Sequence, residues 1–196
     1  MNTVWFLDRS SGFVLLVLFT ISLTLGVLAT RRTGRGSMSR LLSQDLHVRV
    51  TSAALALLVV HVATAVADTY VDISLADVLI PFRGGYRPFW LGLGTISLDL
   101  FLLVLLTTFI RGKLNERAWR IFHALSYIGW LSCLFHAWGT GTDARTNWGL
   151  ALIVSCTLVG LISTAWRIYV VMTGRNSPTP PRVAGHSAQK GEVFLS

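Results

Sequence analysis

Apolar residues gather into five long runs, 12–30, 46–67, 89–110, 119–138 and 148–172, parted by short stretches that are polar, basic or rich in glycine. Each run meets the roughly 20 residues that a helix needs to cross about 30 Å of hydrocarbon. Backbone groups in lipid must be satisfied within their own segment, which forces the helical conformation. The pattern predicts an all-α integral membrane protein with five transmembrane helices in one bundle. Residues 1–11 read as a short external N-terminus, 12–172 as a single membrane domain and 173–196 as a flexible cytoplasmic tail. The polar start MNTVWFLDRSSG has neither a basic n-region nor a small-residue cleavage pattern, so the first run reads as a retained helix rather than a signal peptide.

Composition agrees: 53% of the 196 residues are hydrophobic, 13% are charged, and the mean hydropathy is +0.60. The formal charge of +8 does not indicate nucleic acid, because the basic residues stand at the ends of apolar runs and not on a polar face. They read as topology signals. One side would hold Arg31, Arg32, Arg35, Arg40, Arg49, Arg111, Lys113, Arg117, Arg120, Arg167, Arg175, Arg182 and Lys190; the other would hold only Arg9, Arg83, Arg87 and Arg145. The richer side is expected in the cytoplasm, which predicts a multi-pass protein of the plasma membrane with its N-terminus outside. Cys133 and Cys156 lie in different apolar runs, where free thiols behave as small apolar groups, and no redox role is expected of them.

The second external loop, DTYVDISLADVLIPFRGGYRPF, is too long and too apolar for a bare connector, and is expected to fold over the outer mouth of the bundle. The tail after Met172 is rich in Pro, Gly and Ser; its His186 is expected to be unliganded.

The other four histidines are divided between two apolar helices, His47 and His61 on the second, His123 and His136 on the fourth. Ionisable residues within a membrane segment are rare and suggest a site. Both helices run outward from the cytoplasm, so His47 is level with His123 and His61 with His136. Intervals of fourteen and thirteen residues correspond to rises of about 21 Å and 20 Å, one pair in each leaflet. Two facing imidazoles can fill both axial positions of a haem iron, and four ligands at two depths suit two six-coordinate haems. Zinc would want its ligands at one point. Fourteen residues return to within about 40° of the starting direction, but thirteen land about 140° away. The fourth helix is therefore expected to bend, to bulge or to wrap around the porphyrins, and Gly129, midway between its histidines, is a candidate place for a bend. A single histidine near an interface, such as His47 beside Arg49 or His123 beside Arg120, is commonly only an interfacial polar residue. Four matched in depth on parallel helices are harder to explain that way.

This arrangement resembles the ferric reductase-like transmembrane domain, shared by ferric reductases, NADPH oxidases and the haem-bearing membrane subunit of bacterial methionine sulfoxide repair. The resemblance covers roughly residues 12 to 172 and is carried by LHVRVTSAALALLVVHVATAVADTYV, by WRIFHALSYIGWLSCLFHAW and by the two spacings. It implies a cytochrome b-like protein with an inner haem b between His47 and His123 and an outer haem b between His61 and His136. Electrons would enter from the cytoplasm and leave outside, so the expected role is electron transport within an oxidoreductase. Larger members append a flavin and nicotinamide domain, whereas only a short polar tail follows the last helix here, so a separate flavoprotein is the implied partner. The outer acceptor would be a ferric chelate, a quinone or a flavoprotein. Many relatives also carry six helices where five are counted here.

Further residues join this picture as candidates. Haem propionates want cationic neighbours, for which Arg49 and Arg120 lie at the inner level and Arg83, Arg87 and Arg145 at the outer. Trp130, Trp138, Trp148 and Tyr127 are candidates to pack on a porphyrin, although tryptophans at helix ends commonly serve as interfacial anchors. Asp99 falls near the middle of the third helix, where a charge costs at least about 2.5 to 3.5 kcal/mol. It is expected to face the bundle, as a proton site, as a partner to a ligand histidine, or as a buried polar contact between helices. Two readings from other classes remain at this point: a cofactor-free membrane anchor or regulatory subunit of a redox complex, and a proton-coupled transporter using the histidines and Asp99.

Overall fold

The computed structural model describes residues 3–30, 37–69 and 71–173, and these are helical with no strand among them. Five long helices, α1 (Thr3–Ala29), α2 (Ser37–Ala67), α4 (Pro88–Phe109), α5 (Glu116–Thr140) and α6 (Asn147–Met172), are joined by turns and by a loop carrying the one-turn helix α3 (Leu75–Leu79). Segments Thr3–Ala29, Leu41–Ala67, Pro88–Phe109 and Asn147–Met172 are long and apolar enough to cross a membrane, so the protein is a multi-pass membrane protein. The expected fifth span, α5, has the length but not the apolarity. Glu116, Arg117, Arg120, His123 and His136 dilute its leucine and aromatic content.

Two boundaries depart from expectation. α1 begins at Thr3 and not at residue 12, because no helix breaker precedes Gly12 and the polar Asp8, Arg9 and Ser11 find partners in the fold. α2 begins at Ser37 and not at residue 46. The expected cytoplasmic tail, His186 included, lies outside the described residues except for Thr173.

α1 and α2 pack along their length as one hairpin, and α4 and α5 as another; α1 also touches α5, and α6 lies mainly against α1. α2 meets neither α4 nor α5 over any length, which leaves room between the hairpins. The ends of the bundle are conveniently named by what they carry. Arg49 and Arg111 lie at the basic end, and the loop of residues 68–87 lies at the loop end.

The core sits halfway between these ends. Phe19 and Phe101 stack with ring centroids 4.2 Å apart, and Ala54, Trp130, Ile153 and Cys156 close around them. Trp130 donates its indole N–H to Thr20 Oγ1 at 2.9 Å, which satisfies the one polar atom of a buried ring. Ser97 donates to the Gly129 carbonyl at 2.9 Å, and the missing side chain at Gly129 admits Phe101. The expected bulge in α5 is absent: it is one uninterrupted α-helix, and Gly129 serves close helix packing instead.

At the loop end, Thr95 donates to the Asp77 carbonyl at 3.0 Å, Tyr86 to the Thr140 carbonyl at 3.3 Å and Arg87 to the Gly139 carbonyl at 2.5 Å. Arg87 (φ 40°) and Phe82 (φ 65°) occupy the left-handed region where the chain turns into α4. In α3, Ser74 donates its hydroxyl (2.7 Å) and its backbone N–H (2.9 Å) to Asp77 Oδ2, and these bonds hold that carboxyl below the usual carboxylate range.

Candidate functional site: two tiers of histidine

α1 runs against α2 in the opposite direction, and each α2 histidine rests on an α1 glycine. A methyl added at Gly12 would stand 3.2 Å from His61 Cε1, and one at Gly26 would stand 3.3 Å from His47 Cε1. The glycines are fourteen residues apart, as are the histidines, so antiparallel packing brings both contacts into register. The same relation recurs in the other hairpin, where His136 of α5 lies on Gly94 of α4.

Three rings are oriented by backbone carbonyls. His47 Nδ1 lies 2.8 Å from the Ser22 carbonyl, His61 Nδ1 3.0 Å from the Asp8 carbonyl, and His136 Nδ1 2.9 Å from the Trp90 carbonyl. A carbonyl oxygen only accepts, so in each ring Nδ1 carries the proton and Nε2 keeps its lone pair in the neutral form. That is the tautomer a metal ligand needs, and fixing it through the far nitrogen is how proteins orient such ligands.

Hydroxyl groups complete the supports. Thr51 donates to the His47 carbonyl at 2.6 Å, so it accepts from Ser22 across 2.6 Å, and the Ser22 oxygen faces His47 Nδ1 at 3.2 Å. Ser11 donates to the Asp8 carbonyl at 2.8 Å and presents its oxygen 3.1 Å from His61 Nδ1. Asp8 Oδ1, 3.2 Å from the same nitrogen, is otherwise buried without a hydrogen bond among the described residues.

His47 and His123 form the tier at the basic end, with ring centroids 6.2 Å apart and planes inclined by 69°. Two imidazoles on opposite sides of one metal, with bonds of about 2 Å and a ring radius of about 1.1 Å, would be separated by roughly 6 Å. His123 stacks on Trp119 at 4.9 Å, and the Arg111 guanidinium lies over that indole, 4.1 Å from its centroid. Both His123 Nδ1 and Trp119 Nε1 are buried with no hydrogen-bond partner among the described residues. Buried polar nitrogens without a partner among the protein's described atoms are uncommon in folded proteins.

His61 and His136 form the tier at the loop end, where they line one cavity between the hairpins. It is bounded by Gly12 and Phe19 of α1, Leu98 of α4, Cys133 of α5, and Asp68, Val78 and Tyr86 of the loop. The loop thus covers the mouth at that end. No group of three or more His, Cys, Asp and Glu placed to hold a metal ion occurs among the described residues; the histidines meet two by two.

Several candidates stand elsewhere. Arg49 pairs with Asp45 at 2.7 Å and Arg120 pairs with Glu116, each one helical turn back on an exposed face, so neither points into the tier beside it. Arg83 and Arg145 are exposed, and Arg87 is engaged with the Gly139 carbonyl. Trp138 and Trp148 are 49% and 56% exposed, while Trp130 is buried in the central layer. Tyr127 is half-buried. Cys133 and Cys156 are free thiols.

Asp99 overturns its expectation. It is exposed, and it does not line the cavity. The reason lies in helical geometry. Ser97 and Phe101, which contact α5, lie two residues to either side, and two residues turn a helix by about 200°. Asp99 therefore faces away from the α4–α5 contact and does not meet the histidines among the described residues.

The supporting residues Asp8, Ser11, Gly12, Ser22, Gly26, Trp90, Gly94 and Trp119 were not singled out by sequence reasoning. One signal was available, the fourteen-residue interval between Gly12 and Gly26 that repeats the His47–His61 interval. Comparison with curated proteins gives no match, and comparison with solved structures gives none either. Residues 3–143, which include all four of these histidines, match a family described as a domain of unknown function, DUF8596, and the chain belongs to that family.

Proposed function

We propose that this protein carries electrons across the plasma membrane through two bis-histidine b-type haems, the haem-bearing component of a ferric reductase-like oxidoreductase. The observation that carries the reading is the paired imidazoles at two depths, three of them with Nδ1 tied to a backbone carbonyl and Nε2 left as a ligand. The residues fit the group. The cavity lined by His61 and His136 supports the reading at one tier, and the 6.2 Å ring separation with two unpartnered buried nitrogens supports it at the other.

His47 and His123 would hold the inner haem, and His61 and His136 the outer. Haem bound there would supply one-electron chemistry at its iron, with these four imidazoles as its protein ligands. The protein's own work is to orient the imidazoles, to fix their tautomers and to exclude water from the space between the tiers. Phe19 lies seven residues from both Gly12 and Gly26, so the Phe19–Phe101 stack stands about 10 Å from either tier, in a dry aromatic layer.

On this reading α5 also crosses the bilayer, making five spans. Its contacts with α4 run from Trp90 and His136 at one end, through Ser97 and Gly129, to Arg111 and Trp119 at the other. Its polar residues are affordable because they are turned to a site or to the interface. The loop end faces outward and the basic end faces the cytoplasm, where a separate flavoprotein would donate electrons; a quinone or ferric chelate would accept them outside.

The test is a reduced-minus-oxidised spectrum and a haem assay on purified protein produced with ample haem supply. About two haems per chain are expected, falling to about one in His61→Ala or His136→Ala, with the remaining signal lost when His47 is also replaced. Colourless wild-type protein would end the proposal and favour a cofactor-free anchoring subunit.

A further inference from the structure

Asp99 stands twelfth of the 22 residues in α4, at mid-span of a helix long enough to cross the membrane. It is exposed, it lies outside the cavity, and it has no hydrogen-bond or ion-pair partner among the described residues. Leu102, Leu106 and Phe109, which are 48%, 57% and 79% exposed, continue the same face toward the basic end. At spacings of three and four residues this is one helical stripe, apolar except for a carboxyl group at the depth where lipid offers no hydrogen bond. Polar groups in such positions are covered by protein.

The geometry points to a second copy of this chain as what covers it, docked α4 against α4 about a two-fold axis along the membrane normal. Two arguments select this occupant. Copies of one sequence insert in the same direction, so a two-fold partner sets its own Asp99 at the same depth without requiring a matching residue elsewhere. A carboxyl group in its neutral form also carries one O–H donor and one C=O acceptor, so two of them satisfy each other. A different membrane protein would need a donor at that one depth. The flanking leucines and Phe109 would then pack across the axis, and the interface lies on the side of α4 turned away from the α4–α5 contact, leaving both histidine tiers intact.

Cysteine cross-linking in native membranes tests this. Leu102→Cys, one turn from Asp99, is expected to give a dimer on oxidation, whereas Leu158→Cys at similar depth on the exposed face of α6, and the parent chain with its own two cysteines, are not. No dimer from Leu102→Cys, equal dimer from Leu158→Cys, or a cross-link to a different protein would each overturn the proposal. Energy transfer between labelled copies diluted in lipid vesicles gives the second arm. Asp99→Leu should weaken association roughly tenfold, and Asp99→Asn, which keeps a donor and an acceptor, by no more than about threefold. Association unchanged in Asp99→Leu would show that the carboxyl group does not hold the interface.

Discussion

His136 lies so close upon Gly94 that a methyl group there would stand 2.5 Å from Nδ1 and 2.6 Å from Cε1 of the imidazole, closer than packed atoms approach. The ring is also held by the Trp90 carbonyl one turn earlier in α4, so it has little freedom to retreat without losing that bond. Gly94→Ala is therefore expected to cost about 1–3 kcal/mol and, on the proposed function, to lower the haem content of the protein. Gly12→Ala and Gly26→Ala, with contacts of 3.2 and 3.3 Å, should cost less. Thermal unfolding in detergent with a haem assay on the same samples checks the order. A Gly94→Ala protein as stable as Gly12→Ala would show that the ring moves aside freely.

Ser22 of α1 bonds both Thr51 and His47 of α2. Ser22→Ala should destabilise by about 0.6 to 1.7 kcal/mol, the range for side-chain hydrogen bonds between membrane helices. A double-mutant cycle with Thr51→Val should give a coupling near that of the single bond. Additive effects would mean that the two hydroxyls act separately.

Arg9 bonds Thr142 at 2.8 Å and Asp143 at 3.1 Å, tying the start of α1 to the turn that leads into α6. The pair is largely shielded, at 17% and 30% side-chain exposure, so removing Arg9 should cost about 1 kcal/mol, at the upper end for ion pairs near a surface. Arg9→Ala and Asp143→Ala should lower the unfolding midpoint by similar amounts and the double variant by little more. Fully additive losses would contradict the contact.

The Ser74–Asp77 bonds make α3 acid-sensitive. Because Asp77 is held below its ordinary pKa of 3.8, its support is fully present above about pH 4 to 5 and disappears as the pH falls through the lowered value. Amide exchange of residues 75–79 should quicken below pH 4 relative to the long helices, and Asp77→Asn should already be fast at pH 7. Equal protection in both proteins at pH 7 would refute the role of the carboxylate.

The long apolar runs and the histidine intervals made four spans and the pairing of His47 with His123 legible, since helix rise converts residue counts into depth. The direction of Asp99 was not legible, because α4 is apolar on every side and sequence alone does not say which face meets α5. The partners of Arg49 and Arg120 could have been read four residues back in Asp45 and Glu116, a spacing at which opposite charges meet on one helix. The bulge allowed for in α5 rested on both of its histidines facing α2. His136 leans on α4 while His123 meets α2, and a regular helix serves both.

Because α1 and α2 are graduated alike, the glycine seats and the imidazoles they receive count as one ruler read from opposite ends. Adding a single residue to either helix between its marks would swing one seat about 100° from its ring. Length can change in this hairpin only in both arms together or outside the marked interval, so natural insertions should cluster near residues 31–36 and before Gly12.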